Sequence, residues 1–444
     1  MKKKSILIYV LIFASFCLLA FYFPKTGIDI TWSLKDKTNL SFILNATDTA
    51  LLTNILMSLQ TKTYLLNIII YGVMGVLMFT LMGNLIEKKN HILPLIAFFL
   101  FFLLDRLTIA NTLTQTHSFT THIVGCTALI LFIRLLVKNT LSNANYLGLF
   151  ALGLIFSNLE PSYAFTIFAL TIIYLTKRED KKDNRCVALL LGEITGLLCA
   201  VFHLRFTYTG FTSNLIHEFI PTICNSNFII VLIFSTLVMI EAVKLFLKGK
   251  TISSVLSIFG MSSFLFSSLL STDDYLNYVT YILFSVSSLY ILLNVTSTRM
   301  FKRKIATYYL TSFIFMLSIS IFGHITVGSV LFFFIVDILI ILELYNYIFP
   351  TDFLSPLWFV VIPIISGVNI YIYHSASLKY DEMNFYIKNK LECTTEDIVL
   401  PSKYKTDFLI DYIPLGREHI AEYIEYYDIN LYDKEKHYVF KFRQ

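Results

Sequence analysis

The sequence predicts an all-α polytopic membrane protein with about 13 transmembrane helices. Of its 444 residues, 56% are hydrophobic and 15% are charged, and the mean hydropathy is +0.69. A soluble protein carries about 25% charged residues, so the charged fraction is low. Many apolar runs reach the roughly 20 residues that a helix needs to cross a bilayer. Such runs exclude a β-barrel, because the strands of a barrel alternate apolar and polar residues.

The basic residues follow the distribution expected of a multi-pass protein. The chain starts MKKKSILIYV, and the apolar run that follows ends near Phe23, which predicts an uncleaved signal-anchor helix with a cytoplasmic N-terminus. Further Lys and Arg residues concentrate at 87–90, 177–185, 244–250 and 299–304. The positive-inside rule makes these segments cytoplasmic, and an odd number of spans then places the C-terminal tail outside. We therefore predict a multi-pass protein of the cell membrane.

The composition changes near residue 375. Residues 1–374 form the predicted multi-span membrane domain, and residues 375–444 form a predicted small extracytoplasmic tail domain with an α+β fold. Within the tail, REHIAEYIEYYDI has the apolar spacing of a helix and KHYVFKF alternates as a strand does. Because the tail is small, we expect it to depend on the membrane domain for its stability.

Several functional classes are excluded by composition and by missing motifs. The net charge of +5 is small for the length, so we predict no nucleic-acid partner. The six cysteines have no metal-binding spacing, and their apolar surroundings indicate small hydrophobic side chains. The P-loop motif is absent, which argues against ATP hydrolysis, and so is the HExxH motif of zinc proteases. The abundance of Phe, Ile, Tyr, Asn and Lys is typical of a bacterial sequence from an AT-rich genome.

The segment FPKTGIDITWSLKD, directly after the first predicted span, contains the first candidate site. It places Asp29 and Trp32 in a loop that we predict to lie at the outer membrane face. Asp29 is either a solvated loop acid or a general base that acts on a sugar hydroxyl beside a lipid-linked donor. The following stretch, 39–60, has apolar residues at intervals of three and four, which predicts a helix at the membrane surface.

The second candidate site lies in the apolar stretch 146–176, which is broken by NLEPSY. Glu160 occurs in this break, at membrane depth or just outside it. An ionisable group at membrane depth indicates a functional site. The alternative is a hairpin tip in water, with Glu160 capping the next helix.

The third candidate site is the outer loop DRLTIANTLTQTHSFTTH, 105–122. Arg106 is suited to bind a phosphate, because a guanidinium donates two parallel hydrogen bonds to phosphate oxygens. The alternative is an ion pair between Asp105 and Arg106 at a helix end. His117 and His122 lack a third ligand at useful spacing, so no metal site is predicted.

Other ionisable residues support different functions. Asp337 lies in the middle of the apolar run SVLFFFIVDILIILEL, and Glu193 lies in another apolar run. A transporter would use both groups, whereas a helix–helix hydrogen bond is the structural alternative for Asp337. The outer-loop pair Asp273 and Asp274 leaves a divalent cation open as a cofactor.

Several of these stretches together resemble the GT-C superfamily of membrane glycosyltransferases, and more narrowly the bacterial multi-pass family related to Gtr-type glucosyltransferases. The matching features are GIDITW after the first span, IFSNLEPSYAF around Glu160, and IVLPSKY and EYYDIN in the tail. In that family an acidic pair typically precedes the aromatic residue, and here the pair is reduced to one acid, because the two positions hold Ile28 and Asp29. A tryptophan-containing stretch of the family reads TQTHSFTTHIVG in this chain.

The resemblance implies a GT-C-like fold and a hexosyltransferase activity. A polyprenyl-phosphate-linked sugar would be the donor, and a glycan acceptor of the cell wall or surface polysaccharide would receive the sugar at the outer membrane face. Asp29 is the predicted catalytic residue. The predicted substrate-binding residues are Trp32, Lys25, Lys35, Arg106, His117 and Glu160.

Three other functions stay open on the sequence. The chain is alternatively a transporter or flippase for a lipid-linked or small polar substrate, which would depend on Asp337 and Glu193. It is alternatively a glycan polymerase, which would share the lipid-linked donor. The last alternative is a non-catalytic relative that acts within a surface-glycan complex.

Overall fold

The computed structural model is all-α through the apolar part of the chain, with one short β-sheet near the C-terminus. The structure describes residues 2–22, 51–86, 92–113, 115–138, 145–177, 185–201, 223, 227–270, 274–296, 298–322, 328–348, 355–393, 398–404, 424, 429, 431 and 440–442.

The described helices follow the predicted apolar runs. In chain order they are α1 (Lys2–Tyr22), α2 (Leu51–Lys62), α3 (Tyr64–Leu85), α4 (Leu93–Phe102), α5 (Arg106–Leu113), α6 (Thr116–Ser118), α7 (Val124–Lys138), α8 (Tyr146–Ser157), α9 (Pro161–Lys177), α10 (Arg185–Val201), α11 (Phe228–Leu247), α12 (Thr251–Leu270), α13 (Asp274–Val295), α14 (Arg299–Phe322), α15 (Leu331–Ile348) and α16 (Ser355–Cys393). A π-helix, Phe119–Ile123, joins α6 to α7 without a break.

Six helical segments in the described part of the chain are long and apolar enough to cross a membrane. They are Tyr64–Leu85, Thr116–Val137, Phe228–Leu247, Tyr275–Val295, Arg299–Phe322 and Leu331–Ile348. Shorter apolar helices of 10–17 residues accompany them, among them Tyr146–Ser157 and Pro161–Thr176. The prediction of an all-α multi-pass protein is therefore supported by helix length and composition.

Local sequence signals fix where several helices begin. Thr63 precedes α3 with extended backbone, and its hydroxyl accepts a hydrogen bond from the Leu66 N–H at 3.2 Å. Asn145 caps α8 in the same way through the Leu147 N–H. These side chains replace the carbonyl partners that the first turn of a helix lacks.

Contacts at one end of the bundle join segments that the positive-inside rule places on the outer side. The Leu52 N–H donates to the Asn158 carbonyl at 3.0 Å. The Asp105 N–H donates to Asn227 Oδ1 at 2.6 Å. Both contacts agree with the predicted alternation of the spans.

Contacts at the opposite end join segments predicted to be cytoplasmic. Arg303 Nη2 donates to the Leu136 carbonyl at 2.8 Å, and Lys250 Nζ donates to Asn294 Oδ1 at 2.7 Å. Each of these contacts joins two segments that the sequence assigns to the same side, and the separation of the two sets by a membrane stays a prediction. Which set faces the cytoplasm stays a prediction.

Helices α8 and α10 approach each other at glycines. A Cβ atom at Gly153 would lie 2.3 Å from the Leu189 carbonyl oxygen, and one at Gly192 would lie 2.2 Å from the Phe150 carbonyl oxygen. Gly196, one turn after Gly192, faces the Ser157 side chain. The four-residue spacing puts both α10 glycines on one face, as in the GxxxG interfaces of membrane helices. We call Gly153, Gly192 and Gly196 the glycine interface.

Helix α15 lies at the centre of the bundle. It packs against α4, α11 and α14, and most of its side chains are buried. Its C-terminal half contains Glu343, whose Oε1 lies 2.8 Å from Lys304 Nζ and 3.2 Å from the Tyr308 hydroxyl. Both members of the ion pair are buried, with side-chain exposures of 2% for Lys304 and 5% for Glu343.

Helix α16 continues through residue 375, where the sequence predicts the boundary of the tail domain. Its last turns bury Tyr380, Met383, Ile387 and Leu391 on one face and contact the strand β1 (Ile398–Leu400). β1 pairs in parallel with β2 (Phe440–Phe442). The end of KHYVFKF is therefore a strand, as predicted, whereas most of REHIAEYIEYYDI lies outside the described residues.

Candidate functional site

The residues predicted to carry the chemistry fall in different parts of the chain. Asp29, Trp32, Lys25 and Lys35 lie outside the described residues. Arg106 is the first residue of α5, where the main chain is described. His117 lies in α6, and Glu160 lies in the turn between α8 and α9.

Helix α2 shows an amphipathic pattern with its polar face turned towards the protein. The outward side chains Ile55 and Leu59 are 41% and 43% exposed. A helix in water would expose its polar face instead, so this arrangement suits a helix whose outer face contacts lipid. The prediction of a helix in 39–60 is confirmed for 51–60, but its polar face is not in water. The buried side chains of α2 are Thr53, Asn54, Met57, Ser58, Gln60 and Thr61.

The two ends of α2 contact two different parts of the bundle. At its N-terminal end the Leu52 N–H donates to the carbonyl of Asn158, in the turn between α8 and α9. At its C-terminal end the Thr120 hydroxyl of the π-helix donates to Gln60 Oε1 at 2.6 Å. Helix α2 therefore connects the turn at 158–160 to the π-helix, and its polar face lies between them.

The π-helix is held by aromatic packing. Phe119 stacks on the Tyr71 ring of α3 with centroids 3.6 Å apart and an interplanar angle of 11°. The Tyr71 hydroxyl donates to the Leu113 carbonyl at 2.9 Å. π-Helical turns occur frequently at functional sites. Here the turn brings His122 into electrostatic contact with His117, five residues earlier.

Glu160 caps α9 through Ser162. The Ser162 N–H donates to Glu160 Oε2 at 3.1 Å, and the Ser162 hydroxyl donates to Glu160 Oε1 at 3.0 Å. The carboxyl is enclosed, although part of the side chain remains accessible. Burial raises the pKa of Glu160 to about 7, and the hydrogen bonds from Ser162 act in the opposite direction. The capping interpretation of Glu160 is therefore confirmed, and the carboxyl is also placed to exchange a proton near neutral pH.

Two contacts with α14 show that α7 and α9 run in the same direction. The Thr166 hydroxyl, near the start of α9, lies 3.2 Å from the Ser318 hydroxyl near the end of α14. The Leu136 carbonyl, near the end of α7, accepts from Arg303 near the start of α14. Both helices are thus antiparallel to α14 and parallel to each other.

Tyr163 joins α9 to α7. Its ring lies 2.6 Å from the position that a Cβ would take at Gly125, and its hydroxyl is 3.6 Å from Cys126 Sγ. His122 and Glu160 each lie about one turn before this contact on parallel helices. They therefore lie at the same level of the bundle, next to the turn that α2 contacts.

Four buried polar atoms around this junction have no hydrogen-bond partner among the described residues. We call Gln60, Thr121, His122, Asn158 and Glu160 the outer polar junction. The unpartnered atoms are Gln60 Nε2, Thr121 Oγ1, His122 Nδ1 and Asn158 Oδ1. Buried polar groups are rarely left unpaired, so these atoms indicate bound water or a bound polar ligand.

The sequence predicts Glu160, which is a member of the outer polar junction, and His117, which is within electrostatic range of His122. It misses Gln60 and Thr121. Gln60 belongs to a run of polar residues on an otherwise apolar helix, which is a recognisable signal. Thr121 has no such signal, because threonine is common in membrane helices, where its hydroxyl bonds to the preceding turn. The described residues contain no group of three or more His, Cys, Asp or Glu side chains that could hold a metal ion. Asp273, of the acidic pair considered for a divalent cation, lies outside them.

We expect Glu160→Ala to lower the free energy of unfolding in detergent by roughly 1 kcal/mol, because the Ser162 N–H loses its acceptor. Glu160→Gln keeps a side-chain oxygen and should cost less. Asn145→Ala, which removes the cap of α8, is the matched control. Equal stability loss in Glu160→Ala and Asn145→Ala, with equal function in cells, would limit Glu160 to the role of a cap.

Comparison of the chain with protein-family models, with curated proteins and with solved structures finds no match.

Proposed function

We propose that this chain is a membrane glycosyltransferase of the GT-C type. It transfers a hexose from a polyprenyl-phosphate donor to a cell-wall or surface glycan at the outer membrane face. The proposal includes about 13 spans, a cytoplasmic N-terminus and an extracytoplasmic tail. The observation that carries it is the outer polar junction, which lies beside α2, the first described helix after the loop that contains Asp29.

The chemistry of the junction suits a sugar. The unpartnered atoms of Gln60, Thr121 and Asn158 belong to amides and a hydroxyl, which are neutral hydrogen-bonding groups. Sugar hydroxyls donate and accept hydrogen bonds and carry no charge, so they match such a lining. The exposed apolar side chains of α2 support a position of this lining next to lipid, where a polyprenyl chain would lie.

In the proposed reaction Asp29 accepts the proton of the acceptor hydroxyl as its oxygen attacks the anomeric carbon of the donor. The bond between the anomeric carbon and the phosphate oxygen breaks, and polyprenyl phosphate leaves. Lys25, Lys35 or Arg106 would neutralise the negative charge on the leaving phosphate. Trp32 would stack against a sugar ring.

The test is sugar incorporation into surface glycan in a deletion strain that carries plasmid-borne variants. We expect Asp29→Asn to lower incorporation by roughly a hundredfold or more, because a general base contributes about that factor. Asp36→Asn, in the same loop, is the matched control and should retain activity. Unchanged incorporation in Asp29→Asn at equal protein level would overturn the proposal.

A transporter or flippase is the second candidate function, and Glu193 favours it. The Thr171 hydroxyl donates to Glu193 Oε1 at 2.9 Å, whereas Glu193 Oε2 is buried with no hydrogen-bond partner among the described residues. A half-paired carboxyl inside a helical bundle is typical of substrate and proton pathways. Loss of function in Glu193→Gln with full activity in Asp29→Asn would favour transport over glycosyl transfer. Full function in both variants would favour a non-catalytic role.

A further inference from the structure

Asp337 is an exception within the buried central helix α15. The residues one turn before and after it are buried: Phe333 is 7% exposed, Phe334 1%, Ile340 1% and Ile341 4%. Asp337 itself is partly accessible. Since these neighbours share its face of the helix, Asp337 lies on a face of α15 that packs against the bundle and not against lipid.

Hydroxyl groups from neighbouring helices face the same region. Tyr308 of α14 contacts Glu343, which lies less than two turns after Asp337 on α15, so the next residue, Tyr309, lies at the level of Asp337. Tyr309 is within electrostatic range of Asp337 and of Tyr281 of α13. The Tyr309 and Ser288 hydroxyl oxygens are 2.6 Å apart and share a single hydrogen. Each oxygen therefore keeps a lone pair for another partner. Ser312, one turn after Tyr309, has a buried hydroxyl with no partner in the described part of the chain.

The carboxyl of Asp337 makes no hydrogen bond or ion pair with another described residue. The helices packed against α15 bring no free cation to it among the side chains that the structure describes. α4 has no titratable residue. In α14, Lys304 is paired with Glu343, and in α11, Lys244 is paired with Glu241.

The other described cations on these neighbours are Arg134 of α7 and Arg299, Lys302 and Arg303 of α14. The three α14 residues lie in its first two turns, where Arg303 contacts the Leu136 carbonyl, and Arg134 lies two residues before Leu136. These cations are thus near the inner end of the bundle, whereas Asp337 lies in the middle of α15. An uncompensated carboxylate at this depth is costly. A positive charge from outside the protein would remove that cost.

We propose that Asp337, with the hydroxyls of Tyr309 and Ser288, forms an intramembrane binding site for a monovalent cation of the size of sodium. One carboxylate balances one positive charge, and hydroxyl oxygens are suitable hard ligands for the remaining positions. A divalent ion would need more carboxylates than the site provides. The site is independent of the proposed glycosyl transfer, because it lies on α13, α14 and α15, away from the outer polar junction.

The test is thermal unfolding of the purified full-length protein in detergent, in sodium chloride and in choline chloride at equal ionic strength. We expect sodium to raise Tm saturably, by about 3 °C or more at saturation. Asp337→Asn should abolish the rise, and Tyr309→Phe should increase the half-saturating sodium concentration several-fold. Glu241→Gln changes a buried carboxyl that is already paired with Lys244, and this matched control should retain the rise.

The sodium effect on the Tm of the wild type tests the site, and the same measurement on either variant tests it again. Absence of a saturable sodium effect in the wild type would overturn the site, even if Asp337→Asn does not fold. Persistence of the full effect in Asp337→Asn, or an unchanged half-saturating concentration in Tyr309→Phe, would also overturn it.

Discussion

Gly192→Ala and Gly153→Ala should each leave little folded protein. A Cβ at residue 192 would lie 2.2 Å from the Phe150 carbonyl oxygen, and a Cβ at residue 153 would lie 2.3 Å from the Leu189 carbonyl oxygen. Both obstructing atoms belong to the main chain of the facing helix, so no rotamer change relieves the clash. The helices α8 and α10 must separate, and we expect a cost of roughly 3 kcal/mol or more.

The matched control for the glycine interface is Gly148→Ala, in the same helix as Gly153. No atom lies within 4 Å of the position that a Cβ would take there. Alanine favours the helix over glycine by about 1 kcal/mol, so Gly148→Ala should be neutral or stabilising. The stability of both variants is measured by heating the protein in detergent and monitoring the loss of the folded peak by size-exclusion chromatography. If the Tm of Gly192→Ala equals that of the wild type, the main chains of α8 and α10 are not in direct contact.

The glycine interface also affects the candidate site. A Cβ at Gly196 would lie 1.8 Å from Ser157 Oγ and 3.1 Å from Asn158 Nδ2. Asn158 belongs to the outer polar junction, and its carbonyl accepts the hydrogen bond from α2. Separation of α8 and α10 should therefore displace the junction as well as destabilise the bundle.

The second large effect is expected at the buried ion pair between Lys304 and Glu343. Glu343→Ala leaves the Lys304 ammonium buried without its counter-charge and leaves the Tyr308 hydroxyl without its acceptor. We expect a loss of roughly 3–5 kcal/mol in the free energy of unfolding. Tyr308→Phe removes one hydrogen bond and keeps the ion pair, so it should cost about 1 kcal/mol.

A double variant separates the value of the pair from the cost of an isolated charge. Lys304→Met combined with Glu343→Leu removes both charges, and it should recover most of the stability lost in Glu343→Ala. The exposed pair of Lys403 and Glu382, each 60% exposed, is the control, and Lys403→Met should have little effect. If the double variant is as unstable as Glu343→Ala, the attraction between Lys304 and Glu343 contributes net stability. The instability of Glu343→Ala would then not come mainly from the desolvated, unpaired Lys304 ammonium.

The positions of the helices follow from the sequence because a membrane span needs a long apolar run, and that requirement is visible residue by residue. The sequence predicts a break at NLEPSY, and α8 ends at Ser157 while α9 begins at Pro161. Proline favours the first turn of a helix, where its missing N–H has no partner to lose. Near Asp105 the apolar run is shorter than a bilayer is thick, and the chain forms α4 and α5 instead of one long helix.

The candidate site is less predictable, because it depends on which face of a helix meets the protein. The pattern of α2 predicts an amphipathic helix, but the same pattern fits a polar face in water and a polar face in the bundle. The hydrogen bond between Thr120 and Gln60 joins residues 60 positions apart in the sequence, and the one between Lys304 and Glu343 joins residues 39 positions apart. No local spacing predicts such pairs, since they depend on the order in which the helices pack.

The continuity of α16 has a mechanical consequence. Its 39 residues make a rod about 58 Å long, and the hydrocarbon core of a bilayer is about 30 Å thick. No turn interrupts the helix between the apolar segment near Val360 and the face that contacts β1. A tilt of about 10° around one end would therefore displace the other end by about 10 Å. Where α16 crosses the membrane, as the sequence predicts, changes in bilayer thickness that alter helix tilt would be transmitted to the short β-sheet.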